Sequence, residues 1–224
     1  MKVSEALETR ITCRAYLDKP VSAEQINRIL ARAGRTASGG NLQPWHVWAL
    51  GGEKFKAFNG IVQEKIKDQP FGDGSTEYDI YPKGLTDPYR ARRSKCGEDM
   101  YASVNVARDD KEGRTAHFNR NFEFFGAPAA LFFAIDRQMG FGQWSDLGMY
   151  IQSIMLLARE EGLHTAPQEA WALWHETIGG FLDIPENLMF FCGMAIGHMD
   201  ETAPINSLRT ARADLGEYAH IEGF

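Results

Sequence analysis

The side chains with the clearest chemical potential are cations, hydroxyls and amides rather than acids or nucleophiles. Arg10, Thr12 and Arg14 alternate near the start of the chain. On one helical turn, or at a turn just after a helix, their two guanidiniums and the hydroxyl can converge on one oxyanion, with forked arginine donors suited to phosphate. The competing reading is ordinary: solvated charges on a helix, one of them pairing with Glu5 or Glu8. A second constellation is the loop Ser38, Gly39, Gly40, Asn41, Leu42, Gln43, closed by Pro44 and Trp45. Its two glycines let another group approach the backbone, while a hydroxyl and two amides offer donors and acceptors that suit the edge of a planar heterocycle. Pro44 holds Gln43 extended. Taken alone, this loop reads equally as a helix–strand connection capped by small polar residues.

Other chemistries lack their residues. No GxxxxGK[ST] or GxGxxG follows a strand, and there is no GxSxG nucleophile turn. His175-Glu176 has no second histidine four residues on, and the six histidines show no ligand spacing, so no metal site is expected. Cys13, Cys96 and Cys192 are an odd, scattered set, which reads as reduced thiols of a cytoplasmic protein. The N-terminus has no apolar h-region, so no signal peptide is expected. With so few acid–base or nucleophilic candidates, a bound cofactor is expected to carry the chemistry.

Charge sharpens the question of what the arginines meet. The net charge is −6, which argues against nucleic acid, yet residues 1–50 carry seven Lys/Arg against four Asp/Glu. From 145 to 224 the only basic residues are Arg159, Arg209 and Arg212. Two cations near the end of an acidic half call for an anion.

These residues need a scaffold. The 224 residues, 44% hydrophobic and 24% charged, suit one domain. The longest apolar stretches, 128–135 and 189–197, are far short of the roughly 20 residues a membrane span needs. VSEALETR predicts a short helix ending near Arg10, and Ser22 with Gln25 forms a capping box for a second. WHVWALGG predicts a buried strand, and 53–68 a helix. Residues 69–95 are irregular, a helical piece is expected around 97–107, and RDDKEGR reads as a charged segment. NFEFFGAPAALFFAI predicts an aromatic turn entering a strand buried on both faces. A long helix over 145–162, capped by Ser145 or Asp146, is apolar nearly all round and belongs in a core or an interface. MFFCGMAIG predicts a strand, and the tail 198–224 lacks patterned hydrophobicity and needs something to lie on. Strands and helices mix without a βαβ rhythm, so the fold class is α+β.

Taken together, these segments resemble the FMN-dependent nitroreductase family, NAD(P)H-dependent flavin oxidoreductases. Arg10, Thr12 and Arg14 match its Arg-x-Ser/Thr-x-Arg/Lys phosphate motif. TASGGNLQPW (36–45) resembles its APSxxNxQPW loop, with Ala37 where the family usually has Pro. GLHTAPQEA (162–170) resembles the loop beside flavin N5, and Asn206, Arg209 and Arg212 match the C-terminal pattern. The resemblance implies a mostly antiparallel central sheet flanked by helices, in a single domain over 1–224. It implies a homodimer, with the long helix in the interface and the tail 198–224 exchanged around the partner. FMN would be held by Arg10, Thr12, Arg14, Ser38, Gly39, Asn41, Gln43, Pro167, Gln168, Glu169, Arg209 and Arg212. The segment 69–120, with Phe122, Phe124 and Phe125, would build the substrate lid, and Gly40 would face the substrate. The implied reaction is ping-pong hydride transfer from NADH or NADPH to nitroaromatics or quinones, with no catalytic side chain. Related chemistries of the same fold (reductive dehalogenation, flavin fragmentation, azoline oxidation) and a non-catalytic flavin-binding protein are the alternatives.

Overall fold

The strand over Ala129–Asp136 explains the architecture. In this computed structural model, which describes residues 1–224, all but the last of its residues are buried. Side chains alternate across a strand, so Ala130 and Phe132 enter one core while Leu131, Phe133 and Ile135 enter another. A strand apolar on both faces must be central, with helices covering each side.

That strand is β2 of a four-stranded sheet formed with β1 (Trp45–Gly51), β3 (His164–Gln168) and β4 (Leu188–Gly197). The order is β1-β2-β4-β3 and every pairing is antiparallel. The seven helices are α1 (Val3–Thr9), α2 (Ala23–Ala33), α3 (Gly52–Lys65), α4 (Tyr89–Ser103), α5 (Lys111–Asn119), α6 (Phe141–Glu160) and α7 (His175–Leu182). Phe55, Phe58 and Val62 of α3 pack on one face of the sheet, together with Trp171, Trp174 and Ile178. Ile29 and Ala33 of α2 and the Leu147–Ala158 stripe of α6 cover the other. The α+β reading holds, and no helix is long and apolar enough to cross a membrane.

Local signals located several elements. Ser22 Oγ accepts the Gln25 N–H at 3.2 Å and Gln25 returns the bond to Ser22 N–H at 3.1 Å, closing the expected capping box. Three differences have identifiable causes. Helix α6 starts at Phe141 rather than at Ser145 or Asp146, because Gln143 reaches back to the Gly140 N–H at 3.2 Å. Ser145 instead donates to the Gly142 carbonyl, and Asp146 turns to a distant loop. Helix α4 begins at Tyr89, inside the stretch read as irregular, and runs into the helical piece expected around 97–107, while α5 begins inside the charged RDDKEGR segment, capped by Asp110, which accepts the Gly113 N–H at 2.8 Å. Strand β3 contains Pro167, which hid it; an edge strand tolerates proline because one side of its backbone needs no ladder partner.

The aromatic turn 122–125 corrects an expectation. Phe122 and Phe124 are fully buried, and Phe124 stacks on Trp171 at 4.4 Å between ring centroids. They anchor the core beneath β2 and β4 and cannot line a substrate lid. Phe124 and Phe125 adopt φ of 49° and 55°, a conformation bulky residues accept only where burial compensates for the strain. Phe125, also buried, is the one of the three that meets an expected site residue, its ring centroid lying 6.0 Å from the Arg14 guanidinium carbon.

Candidate active site

Arg10 terminates α1 in an extended conformation, and the chain stays extended alongside β3. Thr12 forms a parallel bridge to Thr165, and the Cys13 N–H donates to the Thr165 carbonyl at 3.0 Å. The spacing therefore works with a period of two, not as a helical turn. Cys13 is fully buried and Ile11 nearly so at the cleft's edge, while Arg10, Thr12 and Arg14 share the cleft side.

The tail arrives at the same side. Asn206 is buried, its Oδ1 accepts the Arg14 N–H at 2.9 Å, and its Nδ2 donates to the carbonyls of Ala15 and Asp200, each at 2.8 Å. This clamp brings Arg209 and Arg212 to a cleft of about 450 Å³ shared with Arg10, Thr12 and Arg14, and with Cys96 and Met100 of α4. Glu8 is the lone acid on its wall, and none of the four arginines forms an ion pair. Burial, and after it the nearby Arg212, lowers the Arg10 pKa; burial also lowers that of Arg14. Partly desolvated cations without counterions are unfavourable unless an anion joins them. The donor set suits a phosphate dianion, with bidentate forks supplemented by the Thr12 hydroxyl.

Gln168 ends β3. Its Nε2 donates to the Asn121 carbonyl at 2.8 Å, while its Oε1 is buried without a partner. An orphaned buried acceptor costs about 1–3 kcal/mol, so a donor from a bound group would be stabilising there. Pro167 is half-buried, and Glu169 reaches the surface although nearby protein raises its carboxyl pKa by desolvation.

The loop 38–43 stands apart. None of its residues lines the arginine cleft. It rests on α6, where the buried Asp146 carboxylate accepts the Gly39 N–H at 3.1 Å. Ser38 Oγ accepts the Gln43 N–H at 3.0 Å, Gln43 Nε2 donates to the Asn41 carbonyl, and Gly40, Asn41 and Gln43 all take positive φ, so Gln43 is not extended before Pro44 as expected; the turn closed by its two hydrogen bonds prevails. Leu42 remains half exposed at its tip. Within one chain, then, the two constellations read from the sequence are separate.

Sequence reasoning missed Asp146, Cys96, Met100 and Asn121. Asp146 lies 107 positions from Gly39, and nothing local to either residue signals the contact.

The fold is three-layered α+β, and its arginine-lined cleft beside a β-strand has the donor set of a phosphate site. Residues 7–198 match the Nitroreductase family profile, and the chain belongs to the Nitroreductase family. It is 35% identical over 216 residues to a 4-nitrobenzoate reductase of Pseudomonas putida, covering 96% of this chain and 93% of that protein. Among solved structures it is similar to the FMN and NADPH-dependent nitroreductase NfnB of Sphigopyxis sp. strain HMH, with a TM-score of 0.94, 45% identity and full coverage of both chains. It also resembles the FMN-dependent nitroreductase NfnB from Mycobacterium smegmatis in complex with NADPH, with a TM-score of 0.90, 25% identity, and coverage of 99% of this chain and 100% of that one.

Proposed function

We propose that the protein is an FMN-dependent nitroreductase that uses NAD(P)H to reduce nitroaromatic compounds, with quinones as further acceptors. The observation that carries this is the convergence of Arg10, Arg14, Arg209 and Arg212, without carboxylate partners, on one cleft of a nitroreductase fold. FMN, when bound, supplies hydride acceptance from NAD(P)H and two-electron transfer to the nitro compound, the two substrates taking turns at one ring face.

The chain's own part is binding and orientation. Arg10, Arg14, Arg209 and Arg212, with Thr12, hold the phosphate. Pro167, Gln168 and Glu169 would lie along the ring side, where the buried, unpartnered Oε1 of Gln168 could accept a hydrogen bond from the bound group. Ser38, Gly39, Asn41 and Gln43 meet the polar edge of the ring, and Gly40 leaves room for substrate. Because this loop lies outside its own chain's cleft, it serves the cleft of a second copy, so the active unit is a homodimer with α6 in its interface. Exposed Leu215, Tyr218, Ile221 and Phe224 make the tail suited to lie on that partner. Reduced thiols and a nicotinamide reductant suit the cytoplasm.

The 35% identity to a 4-nitrobenzoate reductase makes nitrobenzoates the first substrates to assay. The purified protein is expected to carry flavin absorbance, bleached anaerobically by NAD(P)H and restored by 4-nitrobenzoate. Double-reciprocal plots at several acceptor concentrations should be parallel. A protein that keeps no flavin after reconstitution, or one whose flavin no nicotinamide reduces, would sink the reading.

A further inference from the structure

Helix α4 borders two clefts. Its Cys96 and Met100 face the arginine cleft, while Arg90, Arg93 and Ser94 face a separate cleft of about 530 Å³ on an adjoining side of the helix. Arg108 and Arg114 complete that second cleft, and Glu98 is its lone acid. Four arginines around one concavity are unexpected in a chain of net charge −6.

The four differ in what occupies them. Arg90 pairs with Asp87 through two bonds of 3.1 Å, and Arg108 pairs with Glu98 at 3.5 Å. Arg93 and Arg114 have no carboxylate partner. Each lies over an aromatic face instead: Arg93 at 3.9 Å from the Tyr81 ring centroid and Arg114 at 4.2 Å from that of Tyr101. Arg114 is also tied by Nε to the Ala107 carbonyl at 3.1 Å. Stacking orients a guanidinium plane and leaves its edge donors free, so less freedom is lost when an anion docks.

We infer that this second cleft binds a phosphomonoester, the 2′-phosphate of NADPH. The inference rests on the NAD(P)H-dependent reading above and adds which nicotinamide is preferred and which residues choose it. A flat stacked arginine beside exposed Tyr81 suits an adenine face as well as the phosphate on the attached ribose. Arg93 and Met100 are seven residues apart on one helix, roughly 10 Å along its axis, so this cleft adjoins the one proposed for the FMN phosphate. The same donor chemistry would accept free inorganic phosphate, and the test separates the two.

Steady-state kinetics with 4-nitrobenzoate should compare NADPH and NADH in wild type, Arg93→Gln and Arg114→Gln. In either variant the ratio of kcat/KM for NADPH to that for NADH should fall about 10- to 100-fold, mostly through the NADPH KM. Arg93→Lys should recover part of the ratio, and flavin retention reports that each variant is folded. An unchanged ratio, or equal losses for both nucleotides, overturns the assignment. Calorimetric titration of the flavin-loaded protein supplies a readout independent of turnover. Tighter binding of 2′,5′-ADP than of 5′-AMP, lost in Arg93→Gln, supports the site. Inorganic phosphate binding as tightly as 2′,5′-ADP would make the cleft a general anion site and overturn the NADPH assignment. If neither nucleotide is oxidised, the titration still decides the cleft, while the enzymatic reading fails separately.

Discussion

At the scale of single residues, the alternation Arg10, Thr12, Arg14 acquires its meaning from backbone conformation. An extended chain puts every second side chain on one side, so three polar groups reach the cleft while Ile11 and Cys13 complete the protein interior. Arg212 joins them from the tail with its Nη1 occupied locally by Thr210 and Ala211, leaving the rest of the fork for a ligand. Arg212→Ala should therefore weaken FMN binding by ~2–4 kcal/mol, the scale for losing a charge-assisted pair to a dianion, with little change in stability. Flavin-fluorescence titration with FMN and with riboflavin checks this. The loss should shrink for riboflavin, which lacks the phosphate, and equal losses for both ligands would remove Arg212 from the phosphate.

At the scale of elements, β3 and β4 hold Pro167 and Gln168 beside the aromatic core. A Cβ on Gly193 of β4 would stand 2.5 Å from Trp171 Cδ1, and that indole is fully buried and stacked on Phe124. Gly193→Ala should cost about 1–3 kcal/mol through overpacking and disturb the turn after Gln168, so both the urea midpoint and flavin retention should drop. His164, at the start of β3, has its pKa lowered from 6.5 to about 4, first by burial and then by Arg159, Arg209 and His198. The folded protein resists protonation there while the unfolded chain accepts it near pH 6.5. Its contribution is thus full above that pH and is lost as pH falls towards 4, on the order of 3 kcal/mol in all. Urea unfolding at pH 7.5 and at pH 5 should show a stability decrease in wild type that His164→Gln reduces.

At the scale of the whole molecule, the separation of loop 38–43 from the arginine cleft is the decisive geometry. If each flavin site takes its loop from one chain and its cleft from the other, light scattering should find a particle of about twice the 25.1 kDa chain mass. A sharper consequence concerns mixed dimers. Asn41→Ala and Arg212→Ala homodimers should each bind FMN poorly. A heterodimer of the two would hold one site with both defects and one with neither, and should recover about half of the wild-type FMN capacity. Co-expression with two affinity tags and a flavin count per dimer checks this. No recovery would assign the loop and the cleft to the same chain's site.

The amino-acid sequence by itself determined the chemistry available and much of the local architecture. Arginines spaced to share one anion, a Gly-rich amide loop, the Ser22 capping box and a β2 apolar on both faces are all short-range patterns, and short-range patterns are what a sequence displays directly. The order of the motifs along the chain was enough to identify the family. Tertiary structure alone decided what met what. It joined residues 10–14 to 206–212 through Asn206, turned Asp146 from a supposed helix cap into the support of Gly39, and sent Phe122 and Phe124 into the core. It also showed β3 behind Pro167 and resolved the segment 89–119 into two helices. The physical reason is the same in each case: such contacts link residues far apart in sequence, and their stability comes from burial and hydrogen bonds shared between elements, which neither segment's own pattern encodes.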